Sequence, residues 1–143
     1  MNKKIYVSVD FDGTIVTHEY PEIGTPIPGA LECLKRLNEE NINIILQTMR
    51  SDHRMLNDGP DYLLTDAVRF LKAYDIKLFA VNCNPDQYLW TTSNKIYAHF
   101  YIDDTAIGCP LIYPENGKTP YVDWEKASEY LFNYLDIVKN KTH

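Results

Sequence analysis

The stretch that decides the fold is Ile5–Thr14, which reads Ile-Tyr-Val-Ser-Val-Asp-Phe-Asp-Gly-Thr. Its first half is β-branched and aromatic with no Gly or Pro, a composition typical of a buried strand. Asp10 and Asp12 follow one residue apart, and Gly13 interrupts the strand. Because residues i and i+2 of an extended chain point the same way, both acids should project from the strand end. Two close negative charges repel, so the pattern predicts a divalent-metal and catalytic site; a plain polar turn is the alternative.

Length, composition and charge are those of an ordinary globular protein. The chain has 143 residues, which predicts one domain spanning 1–143. No segment approaches the ~20 apolar residues of a membrane helix, so we expect no membrane association. Three cysteines without metal-ligand spacing are typical of reduced thiols and predict a cytoplasmic protein. The formal net charge of −6 disfavours nucleic acid as a partner, except as a substrate.

Strand and helix patterns alternate along the rest of the chain. Strands separated by helices pair in parallel through right-handed crossovers. The predicted class is therefore α/β: a three-layer, Rossmann-like parallel sheet with helices on both faces. Residues 15–28 should form an irregular loop or a small hairpin flap, and 51–61 a polar loop. Further helices are predicted at 28–40, 62–74 and from 124 onward, and further strands at 43–47, 77–81 and 100–102, with a minor strand near 111–113.

Chemically capable side chains follow three of these strands. Besides Asp10 and Asp12, Thr48 ends the second strand and the pair Asp103-Asp104 ends the fourth. The carboxyl ends of parallel strands are where α/β sheets bind ligands. Each group alone could be a cap or a turn, and Lys95 alone could be a solvated surface lysine. Their conjunction indicates one site.

In this order, the residues resemble the four motifs of the haloacid dehalogenase (HAD) superfamily of phosphatases and phosphotransferases. Asp10-Phe-Asp-Gly-Thr14 is similar to the first motif, Thr48 stands at the second, and Lys95 stands at the third. Tyr101-Ile-Asp-Asp104 is similar to the acidic fourth motif. The resemblance covers nearly the whole chain. It implies a HAD-like fold in which the strands carrying the first and fourth motifs are neighbours.

The resemblance also implies a Mg²⁺-dependent phosphatase, a hydrolase of phosphoric monoesters. Asp10 would form an aspartyl-phosphate, and Asp12 would act as general acid and base. Asp10, the backbone carbonyl of Asp12, and the pair Asp103 and Asp104 would hold Mg²⁺, with the member of the pair that contacts the metal left open. Thr48 and Lys95 would grip the transferring oxygens. The catalytic set implied is Asp10, Asp12, Thr48 and Lys95.

Other residues near these motifs are assigned to the phosphate or the substrate. Backbone N–H groups near Phe11 would help to hold the phosphate, and Thr14 would orient Asp12. The loop after Thr48 offers Arg50 or Arg54 for a second anionic group. The phosphate- and substrate-binding set is Phe11, Thr14, Met49 and Arg50; weaker candidates are Ser51, His53, Arg54, Tyr88, Leu89 and Trp90.

The spacing between the motifs leaves no room for a cap domain. Residues 24–30 lead directly into the first helix, and the interval from Thr48 to Lys95 holds one helix, one strand and loops. An open site suits a large or extended phosphorylated substrate, or a site completed by another subunit. No feature of the sequence specifies an oligomeric state.

Three alternative functions use similar residues. A phospho-acceptor signalling domain of the response-regulator type needs a phosphorylatable Asp after a middle strand, where this chain has Thr48 and Asn82. A non-catalytic binding or regulatory protein on the same fold is the second alternative, although no motif residue is lost here. Phosphoryl transfer to an acceptor other than water is the third. Hydrolysis is the function that we expect.

Overall fold

The computed structural model describes residues 3–52, 54–56 and 59–141, of which 54–56 and 59–60 are described by their backbone. Within these ranges the chain is an α/β fold built on a four-stranded parallel sheet of order β5-β2-β1-β6. Two antiparallel pairs, β3–β4 and β7–β8, lie outside that sheet. The elements are β1 (Tyr6–Val9), α1 (Ala30–Glu39), β2 (Asn43–Leu46), β3 (Arg54–Leu56), β4 (Gly59–Asp61), α2 (Leu63–Ala73), β5 (Ala80–Val81), β6 (Phe100–Ile102), β7 (Leu111–Ile112), β8 (Tyr121–Val122) and α3 (Trp124–Asn140).

The strand β1 lies in the middle of the sheet, between β2 and β6. All of its side chains are buried, which explains why its sequence lacks the alternation of a half-exposed strand. The ladder continues past its end, since the Asp10 N–H donates to the Ile102 carbonyl at 3.0 Å. The α/β class is thus confirmed, and the strands that lead to Asp10 and to Asp103 are neighbours, as expected.

The three α-helices cover one face of the sheet, and the prediction of helices on both faces is wrong for the described residues. Val7 and Val9 of β1 pack in one core with side chains of α1, α2 and α3. On the opposite face, Tyr6 and Ile45 pack against Ile96 and Ala98. None of the helices in the described ranges is long and apolar enough to cross a membrane.

The order of the strands explains this one-sided cover. The chain moves in one direction across the sheet from β1 to β2 to β5, so right-handed crossovers place α1 and α2 on the same face. The return from β5 to β6 must cross the other face. Residues 82–99 make that crossing with a 3₁₀ helix at Pro85–Leu89 and irregular chain, without an α-helix.

One segment expected to be a loop has defined structure, and the segment expected to be an irregular loop or a hairpin flap folds back on itself. Residues 51–61 contain the antiparallel hairpin β3–β4, whose strands of three residues are too short to show a sequence period. Residues 15–28, the flap, fold back over the end of β1. The Ile27 N–H donates to the Ile15 carbonyl at 2.9 Å, and both side chains are buried. The flap is therefore anchored in the core at both of its ends.

Candidate metal and catalytic site

Three aspartates meet at the carboxyl ends of β1 and β6. Asp10, Asp103 and Asp104 each place one carboxylate oxygen within 4.8 Å of the oxygens of the other two. The cause is the parallel register of β1 and β6, which brings the residues after each strand side by side. All three residues are partly buried, and the side chain of Asp104 is only 8% exposed. A set of carboxylate oxygens at this spacing is what a hard divalent cation such as Mg²⁺ prefers.

The burial of Asp10 and its closeness to two other carboxylates change the pKa of its side chain. Burial, the charge of Asp103 and the carboxylate of Asp104 together raise the pKa of this carboxyl to about 8, and burial is the largest of these causes. The Thr14 hydroxyl and the Phe11 backbone lower the pKa and only partly compensate. The ionised form of Asp10 is therefore unfavourable at this position unless a positive charge lies nearby. A divalent cation bound by the three carboxylates fits that requirement.

Thr14 orients the aspartate cluster rather than Asp12. Its fully buried hydroxyl donates to Asp10 Oδ2 at 2.9 Å, while the Asp104 N–H donates to the same hydroxyl oxygen at 3.1 Å. The Thr14 side chain thus ties the end of β1 to the segment after β6. The expected role of Thr14 as the partner of Asp12 is replaced by this one.

Asp12 is bound by Arg50. The guanidinium Nε and Nη2 donate to the two carboxylate oxygens of Asp12, each at 2.8 Å. Arg50 is only 2% exposed. Its expected contact with a second anionic group of the substrate does not fit this arrangement, because the side chain points into the protein.

The other predicted residues surround the same aspartates. A cleft of about 440 Å³ is lined by Asp10, Asp12, Thr48 and Met49, together with the Asp103-Asp104 pair and the flap residues His18 and Tyr20. Met49 is 97% exposed at its mouth, so it can contact only a bound molecule or solvent. The Phe11 ring is fully buried, which leaves its backbone as the only group available to a phosphate.

Lys95 reaches the site from the segment that crosses the second sheet face. It is exposed and lines a second cleft, of about 330 Å³, whose walls also include Asp10 and Asp103. Its Nζ lies 5.8 Å from the centre of the Tyr101 ring. Ser8 and Gln47, which sequence reasoning did not select, line this cleft and share a hydrogen bond of 2.7 Å.

His18 is a further residue at this site that the sequence did not reveal. Its Nε2 lies 2.8 Å from Asp104 Oδ2, so the flap touches the acidic cluster directly. The contact depends on Gly13, whose φ is +80° and at which an added Cβ would overlap His18 Nε2 and lie 2.5 Å from Asp104 Oδ2. A single histidine in an irregular segment carries no spacing signal, which is why sequence reasoning did not select it.

The weaker loop candidates whose side chains the structure describes do not line the cleft around the aspartates. His53 lies outside the described residues, and Arg54 is described only by its backbone. Tyr88, Leu89 and Trp90 are exposed around the end of the 3₁₀ helix. Trp90 lines a separate surface cleft that includes Lys95 but none of the aspartates.

Comparisons with known proteins give one informative match. No family model and no curated protein sequence matches the chain. A solved structure of a conserved protein coded by a locus of Bacteroides thetaiotaomicron is 30% identical, with a TM-score of 0.68. The match covers 99% of this chain and 100% of that one.

Proposed function

We propose that this chain, which belongs to the same protein family as the conserved Bacteroides thetaiotaomicron protein, is a cytoplasmic, Mg²⁺-dependent phosphatase of the HAD superfamily without a cap domain. One observation carries the proposal. Asp10 clusters with the Asp103-Asp104 pair and lines a cleft with Asp12 and Thr48, and the second cleft that it lines also contains Lys95. These are the groups that transfer of a phosphoryl group through an aspartate requires.

In the proposed first step, a carboxylate oxygen of Asp10 attacks the phosphorus of a monoester. A bond forms between that oxygen and phosphorus while the bond from phosphorus to the ester oxygen breaks. Asp12 gives its proton to the departing oxygen, so an alcohol leaves and Asp10 carries the phosphoryl group. Both aspartates line the same cleft, which allows one substrate to contact them together.

In the proposed second step, water replaces Asp10 at phosphorus. Asp12 takes a proton from the water as the oxygen–phosphorus bond forms, and the bond to Asp10 breaks. Inorganic phosphate leaves, Asp10 is again a carboxylate, and Asp12 is again protonated. Acid–base assistance of this kind contributes typically ~10²–10⁴-fold to the rate.

Asp10, Asp103 and Asp104 would hold the Mg²⁺, with the Asp12 backbone carbonyl as a further expected ligand. When bound, the ion supplies positive charge that neutralises the carboxylates and the phosphate oxygens. Thr48 would donate a hydrogen bond to a transferring oxygen, and Lys95 would supply a point charge.

The proposed substrate is a large or extended phosphorylated molecule. Support comes from the small size of the segments inserted between the sheet strands and the helices α1 and α2, which in the described part of the chain are the flap and the hairpin β3–β4. Neither has the size of a domain that could enclose a metabolite.

Hydrolysis of p-nitrophenyl phosphate tests the proposal. We expect turnover with Mg²⁺, loss of turnover with EDTA, and loss in Asp10→Asn. Asp66→Asn, which changes an exposed aspartate of α2, is the matched control and should keep full activity. Full activity of a folded Asp10→Asn protein would overturn the mechanism.

A further inference from the structure

The Arg50 side chain gathers three parts of the molecule at one buried point. Besides the two oxygens of Asp12, it donates to the carbonyls of Pro21 at 3.2 Å and Glu22 at 2.8 Å, both in the flap. It also reaches the carbonyl of Leu63, the first residue of α2, at 3.5 Å. A guanidinium has five N–H groups, and these contacts provide five acceptors. Arg50 is therefore saturated by the protein's own oxygens.

Two aromatic rings lie beside Arg50, one from the turn after β1 and one from the flap. The guanidinium carbon lies 5.2 Å from the centre of the Phe11 ring and 5.3 Å from that of Tyr20. Phe11 precedes Asp12 in the chain, and Tyr20 is a flap residue that lines the substrate cleft. The contacts of Arg50 thus hold the wall of the cleft and the candidate acid–base group in one fixed relation.

A gain in folding stability is a weak explanation for the buried ion pair of Arg50 and Asp12. Buried ion pairs are often matched or exceeded in stability by apolar residues of similar volume. The pair does fix an orientation. The planar guanidinium of Arg50 binds both carboxylate oxygens of Asp12 and thereby fixes the plane of that carboxylate. Each Asp12 oxygen then keeps a lone pair that the guanidinium does not use.

We propose that Arg50 is a positioning residue that sets Asp12 for proton transfer and ties the flap to it; this inference rests on the proposed function. Arg50 acts through Asp12 and the flap, without contact to the substrate. A change at Arg50 should therefore impair the steps that need Asp12 and leave the attack by Asp10 nearly intact.

The test separates the two steps with p-nitrophenyl phosphate, whose good leaving group needs little help from an acid. In Arg50→Met we expect rapid release of about one p-nitrophenolate per site, followed by steady turnover at least about tenfold slower than in the wild type. KM should not rise. Arg50→Lys keeps the charge but loses the bidentate hydrogen bonding, so its steady turnover should lie between those of Arg50→Met and the wild type. Arg36→Met, a change of an exposed arginine in α1, should match the wild type.

A double-mutant cycle with Asp12→Asn adds a readout that a purely structural role would not move. If Arg50 acts through Asp12, the double variant should be no slower than Asp12→Asn alone. Additive losses would overturn the inference, as would a raised KM with unchanged kcat, which would mean that Arg50 binds substrate. If Arg50→Met does not fold, Arg50→Lys is judged by the same criteria.

The wild-type protein distinguishes failure of this inference from failure of the proposed function. Absence of Mg²⁺-dependent hydrolysis in the wild type overturns both. Normal hydrolysis in the wild type together with unchanged turnover in Arg50→Met and Arg50→Lys overturns the role of Arg50 alone.

Discussion

The indole Nε1 of Trp124 donates a hydrogen bond of 2.6 Å to the backbone carbonyl of Thr14. Trp124 is the first residue of α3 and is 1% exposed. The bond joins the last helix of the chain to the turn that carries Asp10 and Asp12. The distant helix α3 is therefore part of what holds the candidate site in place.

Trp124→Phe should destabilise the fold. The substitution leaves the Thr14 carbonyl buried without this donor, which costs about 1–3 kcal/mol, and it leaves space that the smaller ring does not fill. Urea unfolding followed by circular dichroism measures the free energy of unfolding. Trp90→Phe is the matched control, because Trp90 is 66% exposed and should show a far smaller effect. Equal effects of the two substitutions would contradict the role of the bond.

The stability of the metal-free protein should decrease as pH rises toward and through about 8. Burial first, and then the neighbouring carboxylates, raise the pKa of Asp10 from 3.8 to about 8 in the folded state. The folded protein therefore binds a proton that the unfolded chain has released, and this contribution is lost as Asp10 ionises. Thermal melts in EDTA at pH values between 3.8 and about 8 measure this loss of stability. Asp10→Asn should flatten the profile, whereas Asp66→Asn should leave it unchanged.

Asp103→Asn and Asp104→Asn should each weaken Mg²⁺ binding. Both carboxylates belong to the cluster around Asp10, and loss of even an outer contact of a metal site costs roughly 10–100-fold in affinity. Isothermal titration calorimetry with MgCl₂ gives the dissociation constants. The larger loss identifies the residue that contacts the ion directly. Unchanged affinity in both variants would rule out this cluster as the Mg²⁺ site.

Lys95→Met and Thr48→Val should each reduce turnover by about 10²–10³-fold, the usual cost of removing one preorganised donor to an anion. Both side chains line clefts that contain Asp10. Steady-state kinetics with p-nitrophenyl phosphate measures the effect. Lys72→Met, at an exposed lysine of α2, is the control for Lys95. Normal turnover in Lys95→Met would remove Lys95 from the site.

The parts of the site that follow strand ends were predictable from sequence. Asp10 and Asp103 come directly after apolar runs, and Thr48 follows the end of β2 at Leu46 by two residues. The parallel pairing of these strands brings their carboxyl ends together independently of the loops. The expectation that Asp10 and Asp12 point the same way was less reliable, because β1 ends at Val9 and the alternation of extended chain ends with it. Both residues line one cleft, but only Asp10 joins the acidic cluster.

The contacts that arise from folding over long distances were not predictable. Arg50 meets Asp12 across 38 positions of sequence, and His18 meets Asp104 across 86. Neither pair has a local spacing that marks it. The absence of an α-helix from the second sheet face, among the described residues, was not predictable for a similar reason. The order of the strands decides which segment crosses that face, and local helix propensity does not reveal that order.

The most direct test of the central claim is to identify a phosphoryl group on Asp10. The Asp12→Asn protein, in which release of the phosphoryl group should be slow, is mixed with p-nitrophenyl phosphate and Mg²⁺, quenched in acid, digested and examined by mass spectrometry. We predict a phosphoryl adduct on Asp10 that is missing when Asp10→Asn is added or EDTA is present. An adduct on another residue, or wild-type hydrolysis with no adduct on Asp10, would contradict the account.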